Sequence, residues 1–235
     1  MSQNLLFMSK SKSRRNRRIA VSIIMGILFV IALAIVVPFG VLGIRTSRLN
    51  KDYVYLKTDA TYSKKVEVTG LNLVTQHVSC GYASIEMISE YYGNKVTEDD
   101  LDAKNNGAVS TSSTSGFLKE INDSIESKEF IKKTYLTNDN YLKEIHDSLS
   151  KNNPVAIEWA AKYEDEWTLH FSVVTSMDLA NDQIVIYNPY GYIETIQSEE
   201  FISRTTFKAY KNLPLFLNFG FAFGAFDKNA LFYAK

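Results

Sequence analysis

Cysteine is nearly absent. Cys80 is the only one in 235 residues, so the chain closes no intrachain disulfide and assembles no cysteine-rich metal site from its own residues. A lone cysteine is either inert packing or chemistry. Acidic residues are missing from everything before Asp52, whereas nine of the 26 basic residues fall there: Lys10, Lys12, Arg14, Arg15, Arg17, Arg18, Arg45, Arg48 and Lys51. The remainder carries 17 basic against 26 acidic residues, an excess of nine negative charges. Nucleic acid is thereby excluded as a partner of the folded part, because phosphate binding needs Lys and Arg clustered on one face. A basic or neutral peptide fits that charge better. Histidine is scarce, with only His77, His146 and His170. No internal repeat or low-complexity linker divides the outer part, so a single domain of ordinary size is expected there. No cofactor and no metal is expected.

What the chain does have is one long apolar run. Ile19 to Ile44 holds no charged residue, more than the roughly 20 residues a helix needs to span the hydrocarbon core. A cleaved secretory signal is the competing reading, but its apolar region is shorter and a small-x-small site should follow it. Here Ala32 and Ala34 lie mid-span, with Ile35, Val36 and Val37 directly after them. Six basic residues precede the run and three follow it closely, a bias that places the N-terminus in the cytoplasm and the large domain outside. The expected order is a basic cytoplasmic tail (1–18), a single-pass transmembrane helix (19–44), a juxtamembrane stalk (45–71) leading into an edge strand, and an extracytoplasmic domain (72–235).

Within that domain apolar residues recur at Ala83, Met87, Ile88 and Tyr91, one face of a helix that begins at Cys80 and stops at Gly93. Thr97 followed by Glu98, Asp99 and Asp100 predicts the acidic first turn of a second helix, and Gly116 to Ile121 holds a third. Leu142, Ile145 and Leu149 share a helical face that ends at Asn152-Asn153-Pro154. Strands are then predicted at Val155–Trp159, Trp167–Met177, Gln183–Tyr187, Tyr192–Ile196, Leu215–Phe226 and Ala230–Tyr233, from their β-branched and aromatic content. Leu215–Phe226 is too short and too broken by Asn218, Gly220 and Gly224 for a second membrane element, so it is expected as a core strand pair. Helices first and antiparallel strands after make an α+β domain.

The chemistry gathers around Cys80. A helix N-terminus favours a thiolate, because unpaired N–H groups and the dipole stabilise negative charge there. Gly81 leaves room for substrate backbone, and Gln76, four residues earlier, can offer its amide N–H to a developing oxyanion beside the Cys80 backbone N–H. His170 lies in a strand whose residues 170, 172 and 174 share one face, which places its imidazole where a helix packed on the sheet would present the thiol. Asn188 ends the neighbouring strand, at Asn188-Pro189-Tyr190-Gly191, and can accept from His170 and orient the ring. His77 sits in the loop before the nucleophile and is expected to be exposed. His146 points away from its helix's apolar face and is expected at the surface. Asp178 and Asp182 are alternative orienters, but they fall in a turn away from the catalytic end.

Cys, His, Asn is the chain order of papain-like enzymes. Gln76 with Cys80, Gly81, Ala83 and Ser84, then Tyr91-Tyr92-Gly93, Asn153-Pro154-Val155, His170-Phe171 with Val173-Val174, and Asn188-Pro189 with Gly191, resemble the bacteriocin-processing (double-glycine leader) peptidase group of the papain-like superfamily. The likeness covers about Leu73 to Ile196. It implies a papain-like cysteine protease fold of N-terminal helices on an antiparallel sheet, with Cys80 as nucleophile, His170 as base, Asn188 as orienter and Gln76 as oxyanion donor. Asn188 stands where the leader peptidases usually have Asp, a choice other papain-like enzymes make. Transporter-linked leader peptidases work in the cytoplasm, so their double-glycine specificity is not carried over.

The function implied is a membrane-anchored thiol peptidase acting on a peptide or protein substrate. The same acyl-enzyme passed to an amine would make a transpeptidase or acyltransferase, and a silent fold would serve as a cell-surface binding module.

Overall fold

The computed structural model describes residues 2–235, with side chains at position 18 and from 20 onward. The side chains of the expected basic tail, Arg18 apart, lie outside the described residues. The chain divides after Gly43 into two compact units. Helix α1 (Ser2–Ser47) makes up the first and runs on through Pro38, Gly40 and Gly43 unbroken. Its stretch Ala20–Ser47, 28 residues, is long and apolar enough to cross a membrane.

The second unit is built around helix starts that the sequence supplies with caps. Helix α2 (Cys80–Tyr91) opens where the Ser79 hydroxyl accepts the Tyr82 N–H, and the chain leaves it through Gly93 at a φ of 78°. Helix α3 (Glu98–Lys104) has a full capping box between Thr97 and Asp100, and Ser113 caps α4 (Thr114–Ser124). Helix α5 (Asn138–Ser150) follows. The long hairpin of β3 (Val155–Tyr163) and β4 (Glu166–Asp178) then leads to β5 (Gln183–Asn188) and β6 (Tyr192–Ile196). Among the described residues, β1 (Val66–Glu67), β2 (Phe130–Lys133) and β7 (Leu231–Ala234) complete one antiparallel sheet ordered β2-β7-β3-β4-β5-β6, with β1 on β4. The domain is therefore α+β.

Alternation along β3 separates the two faces of the sheet. Val155, Ile157, Trp159 and Ala161 pack with Leu142, Ile145 and Leu149 of α5 and with Phe201 of α6 (Ser198–Thr205). Ala156 faces the other way, to Phe171, Val173, Phe232, and Tyr82 and Ile88 of α2. Both faces are covered, which is why β3 is buried from Val155 to Ala161.

Three expectations are corrected. The stretch 45–71 is not a free stalk. Leu49, Leu56 and Val68 are buried, and Leu56 and Val68 join the cluster of Leu142 and Trp159. Their spacing is too irregular to read as a periodic element. Leu215–Phe226 is not a strand pair but helix α7 (Leu215–Phe223), closed by Gly224 in the left-handed conformation. Leu217 and Phe221, four apart, are its buried positions, and that helical spacing outweighs the aromatic composition. His146 is buried, not superficial: its Nε2 lies 3.0 Å from the Lys64 carbonyl and its ring packs edge-on against Tyr62. The covering stretch 45–71 puts it inside. β2 and α6 were not foreseen.

Candidate active site

Cys80 is the first residue of α2 and is half-buried. The loop entering it is held from beneath by Glu98, a fully buried carboxylate that accepts the backbone N–H groups of His77, Val78 and Ser79 at 3.2, 3.0 and 2.9 Å. Burial pushes the thiol up to about 11, against the backbone N–H groups of Phe171, Gly81 and Cys80 itself, which favour the thiolate. Gly81 is required where it stands, since a Cβ there would lie 2.2 Å from Thr111 Oγ1.

The Phe171 N–H that favours the thiolate belongs to β4. Pairing of β4 with β5 begins at Val173 opposite Tyr187, so the edge of β4 at Phe171 is open to the N-terminus of α2. His170 is opposite Trp159, on the face that carries α5 and α6, whereas Phe171 faces α2. His170 and Phe171, neighbours in β4, therefore point to opposite faces of the sheet.

His170 is buried, and its Nε2 lies 2.8 Å from Asn188 Oδ1. Asn188 is held on three sides. Its Oδ1 also accepts the Tyr190 N–H at 2.9 Å, and its Nδ2 donates to Glu194 Oε1 at 2.7 Å. These partners set the amide's orientation, so the oxygen faces the ring, Nε2 carries the proton, and Nδ1 keeps the lone pair. Burial, with Arg204 adding to it and the Asn188 bond opposing it, lowers the imidazole to about 3. Tyr190 stacks on the ring at a centroid distance of 4.0 Å, and its hydroxyl lies 2.8 Å from Thr168 Oγ1.

Gln76 ties its loop to the same turn, its N–H donating to the Pro189 carbonyl at 2.8 Å, while its Oε1 is buried without a partner. With Thr75, Tyr163, Thr168, Pro189 and Tyr190 it lines a cleft of about 390 Å³. His77 is exposed and ion-paired with Glu98 and Asp99. Asp182 is taken up by Lys57 and Ser198, and Asp178 bonds Asn181, so neither orients His170.

Glu98, Tyr190, Glu194 and Arg204 escape a reading of the sequence, because each acts across distant segments. Arg204 donates to the Ala160 carbonyl at 2.8 Å and to Glu194 Oε2 at 2.6 Å, and lies over the Trp159 ring at 3.5 Å. The line Arg204, Glu194, Asn188, His170 is thus continuous. Removing Glu194 leaves the buried guanidinium only its longer contact with Glu200, at 3.4 Å, and the Ala160 carbonyl, so Glu194→Ala is expected to destabilise the domain in denaturant unfolding, by up to about 3 kcal/mol. Glu194→Gln keeps an acceptor for Asn188 Nδ2 and is expected to cost less. Equal losses in the two variants would show that Glu194 does not hold Asn188.

No curated protein matches the chain. Among solved structures, a double glycine motif protease from an AMS/PCAT transporter, crystallised with the leader peptide, aligns over 72% of this chain and 97% of its own, at 16% identity and a TM-score of 0.45. The family model described as "Peptidase_C39 like family" matches residues 67–214, a stretch that contains Gln76, Cys80, His170 and Asn188 together with α2, β3, β4 and β5, and the chain belongs to that family.

Proposed function

We propose that this protein is a membrane-anchored thiol peptidase that cleaves a peptide or protein substrate outside the membrane, with Cys80, His170 and Asn188 as its triad and Gln76 as oxyanion donor. The observation that carries the reading is the 2.8 Å bond from His170 Nε2 to Asn188 Oδ1, which leaves Nδ1 as the ring's unprotonated nitrogen, the atom that can take a proton. Nδ1 takes the Cys80 proton as sulfur attacks the scissile carbonyl carbon. The tetrahedral oxyanion is received by the Gln76 amide and the Cys80 N–H. When the C–N bond breaks, the imidazolium returns the proton to the leaving amine. Water, deprotonated by the same nitrogen, then hydrolyses the thioester and frees the thiol. The aromatic and hydroxyl lining of the cleft suits an extended peptide.

The test is cleavage of a mixed peptide library by the full chain in detergent, with Cys80→Ala as the control. Products formed equally by the control would sink the reading. Gln76→Ala is expected to lower turnover by about 10²-fold while leaving alkylation of Cys80 unchanged, since an oxyanion donor acts on the transition state. Unaltered turnover would remove Gln76 from the site. The anchor reading rests on the charge-free run of α1 and its basic flanks. Protease added to intact cells is expected to digest the domain, and a domain spared until the cells are lysed would reverse the orientation.

A further inference from the structure

Helix α7 is apolar all round and carries no charge. One side is anchored to the domain: Leu217 and Phe221 are buried, and the Phe221 ring meets Phe207 and Phe226 at centroid distances of 4.9 and 5.9 Å. Away from that side Leu215, Phe216 and Phe223 are exposed to 69, 68 and 58%. A helix with apolar residues on its outer side needs a second cover. Its one polar side chain, Asn218, donates through Nδ2 to the Leu213 carbonyl at the helix's start.

The length of the tether indicates what that cover is. The apolar run ends at Ile44 and the first core residue of the domain is Leu49, whose carbonyl accepts the Asn138 N–H at 2.8 Å. Only residues 45–48 separate them, a reach of at most roughly 18 Å over the five steps from 44 to 49. A domain tethered so short cannot leave the surface of the membrane that α1 spans. Lys208 and Lys211, both exposed, lead into α7, and Arg45 and Arg48 lie in the tether, a charge that suits anionic headgroups.

We propose that α7 lies in the lipid interface, with Leu215, Phe216 and Phe223 inserted among the upper acyl chains, so that the domain is held to the bilayer at a second point and in a fixed orientation. The proposal rests on the reading of α1 as an anchor.

The lone cysteine makes the test clean. In full-length Cys80→Ala protein, a single cysteine replaces Phe216, Leu215, Phe29 or Val109 in turn. Each takes a nitroxide label after reconstitution into vesicles of phosphatidylcholine and phosphatidylglycerol. Labels at 216 and 215 are expected to collide severalfold more often with oxygen than with a water-soluble nickel complex, as the label at 29 does, while the label at 109 shows the reverse. A lipid-like signal at 29 with a water-like signal at 216 and 215 would overturn the proposal and spare the anchor. A water-like signal at 29 would overturn both. Shielding of 216 and 215 from both colliders would mean that protein covers α7, which also overturns the proposal.

Discussion

Cys80→Ala and His170→Ala are each expected to abolish peptide cleavage, with losses on the order of 10⁴- to 10⁶-fold, and the double variant should be little worse than either, because a nucleophile and base in the proposed roles act as a unit. Asn188→Ala should cost less, since it turns the ring but moves no proton. Alkylation reports the resting state of the pair. A helix-terminal thiol read from sequence alone is expected to be a thiolate below pH ~7. The folded environment argues the other way, because burial is the largest influence on both groups, pushing the thiol up to about 11 and the imidazole down to about 3. Both shifts favour the neutral pair, so proton transfer accompanies attack and does not precede it. Iodoacetamide should therefore react slowly with the parent protein near neutral pH and faster as pH rises past 9, with His170→Ala changing that profile little. A plateau of fast alkylation below pH ~7 that disappears in His170→Ala would show a preformed thiolate–imidazolium couple and restore the expectation from sequence.

The disagreement marks what local sequence conveys. Ser79 and Gly93 frame α2 with short-range signals, so its bounds and the place of Cys80 at its start were legible. The hairpin of β3 and β4 and the strands after it were legible for the same reason, their runs being bounded by polar breaks. What escaped is what depends on contact between distant segments. The depth at which Cys80 and His170 sit follows from α2, α5 and α6 closing over the sheet, and no motif encodes it. The three N–H groups gathered by Glu98 link α3 to a loop about twenty residues earlier. The hold of Arg204 and Glu194 on Asn188 joins β5, β6 and α6, and α6 itself went unseen. In α7 the aromatic content pointed to strands, while the pair Leu217 and Phe221 carried the helical spacing in only two residues.

Burial of His170 also has a consequence for stability. A histidine whose folded pKa lies near 3 and whose unfolded value is 6.5 stays neutral in the folded chain while the unfolded chain takes up a proton. Stability is then present above pH 6.5 and lost as pH falls toward 3, by roughly 5 kcal/mol across the whole interval and roughly 2 kcal/mol between pH 6.5 and 5. Burial raises Glu158 and Glu86, which opposes the fall, whereas the lowered carboxylates, Asp139 at about 2 among them, give up their contribution only at lower pH. His77 acts in the opposite sense: its hydrogen bond to Asp99 raises its pKa, so its contribution is present at low pH and lost as pH rises, and it partly masks the slope. Denaturant unfolding of full-length His77→Ala protein in detergent, followed by near-ultraviolet circular dichroism, should therefore show the steeper fall from pH 6.5 to 5. Adding His170→Gln, which has no titrating group, should flatten it. An unchanged slope in the second variant would mean that His170 titrates in the folded protein as it does in the unfolded chain, which would sink the reading of an imidazole held neutral by its burial.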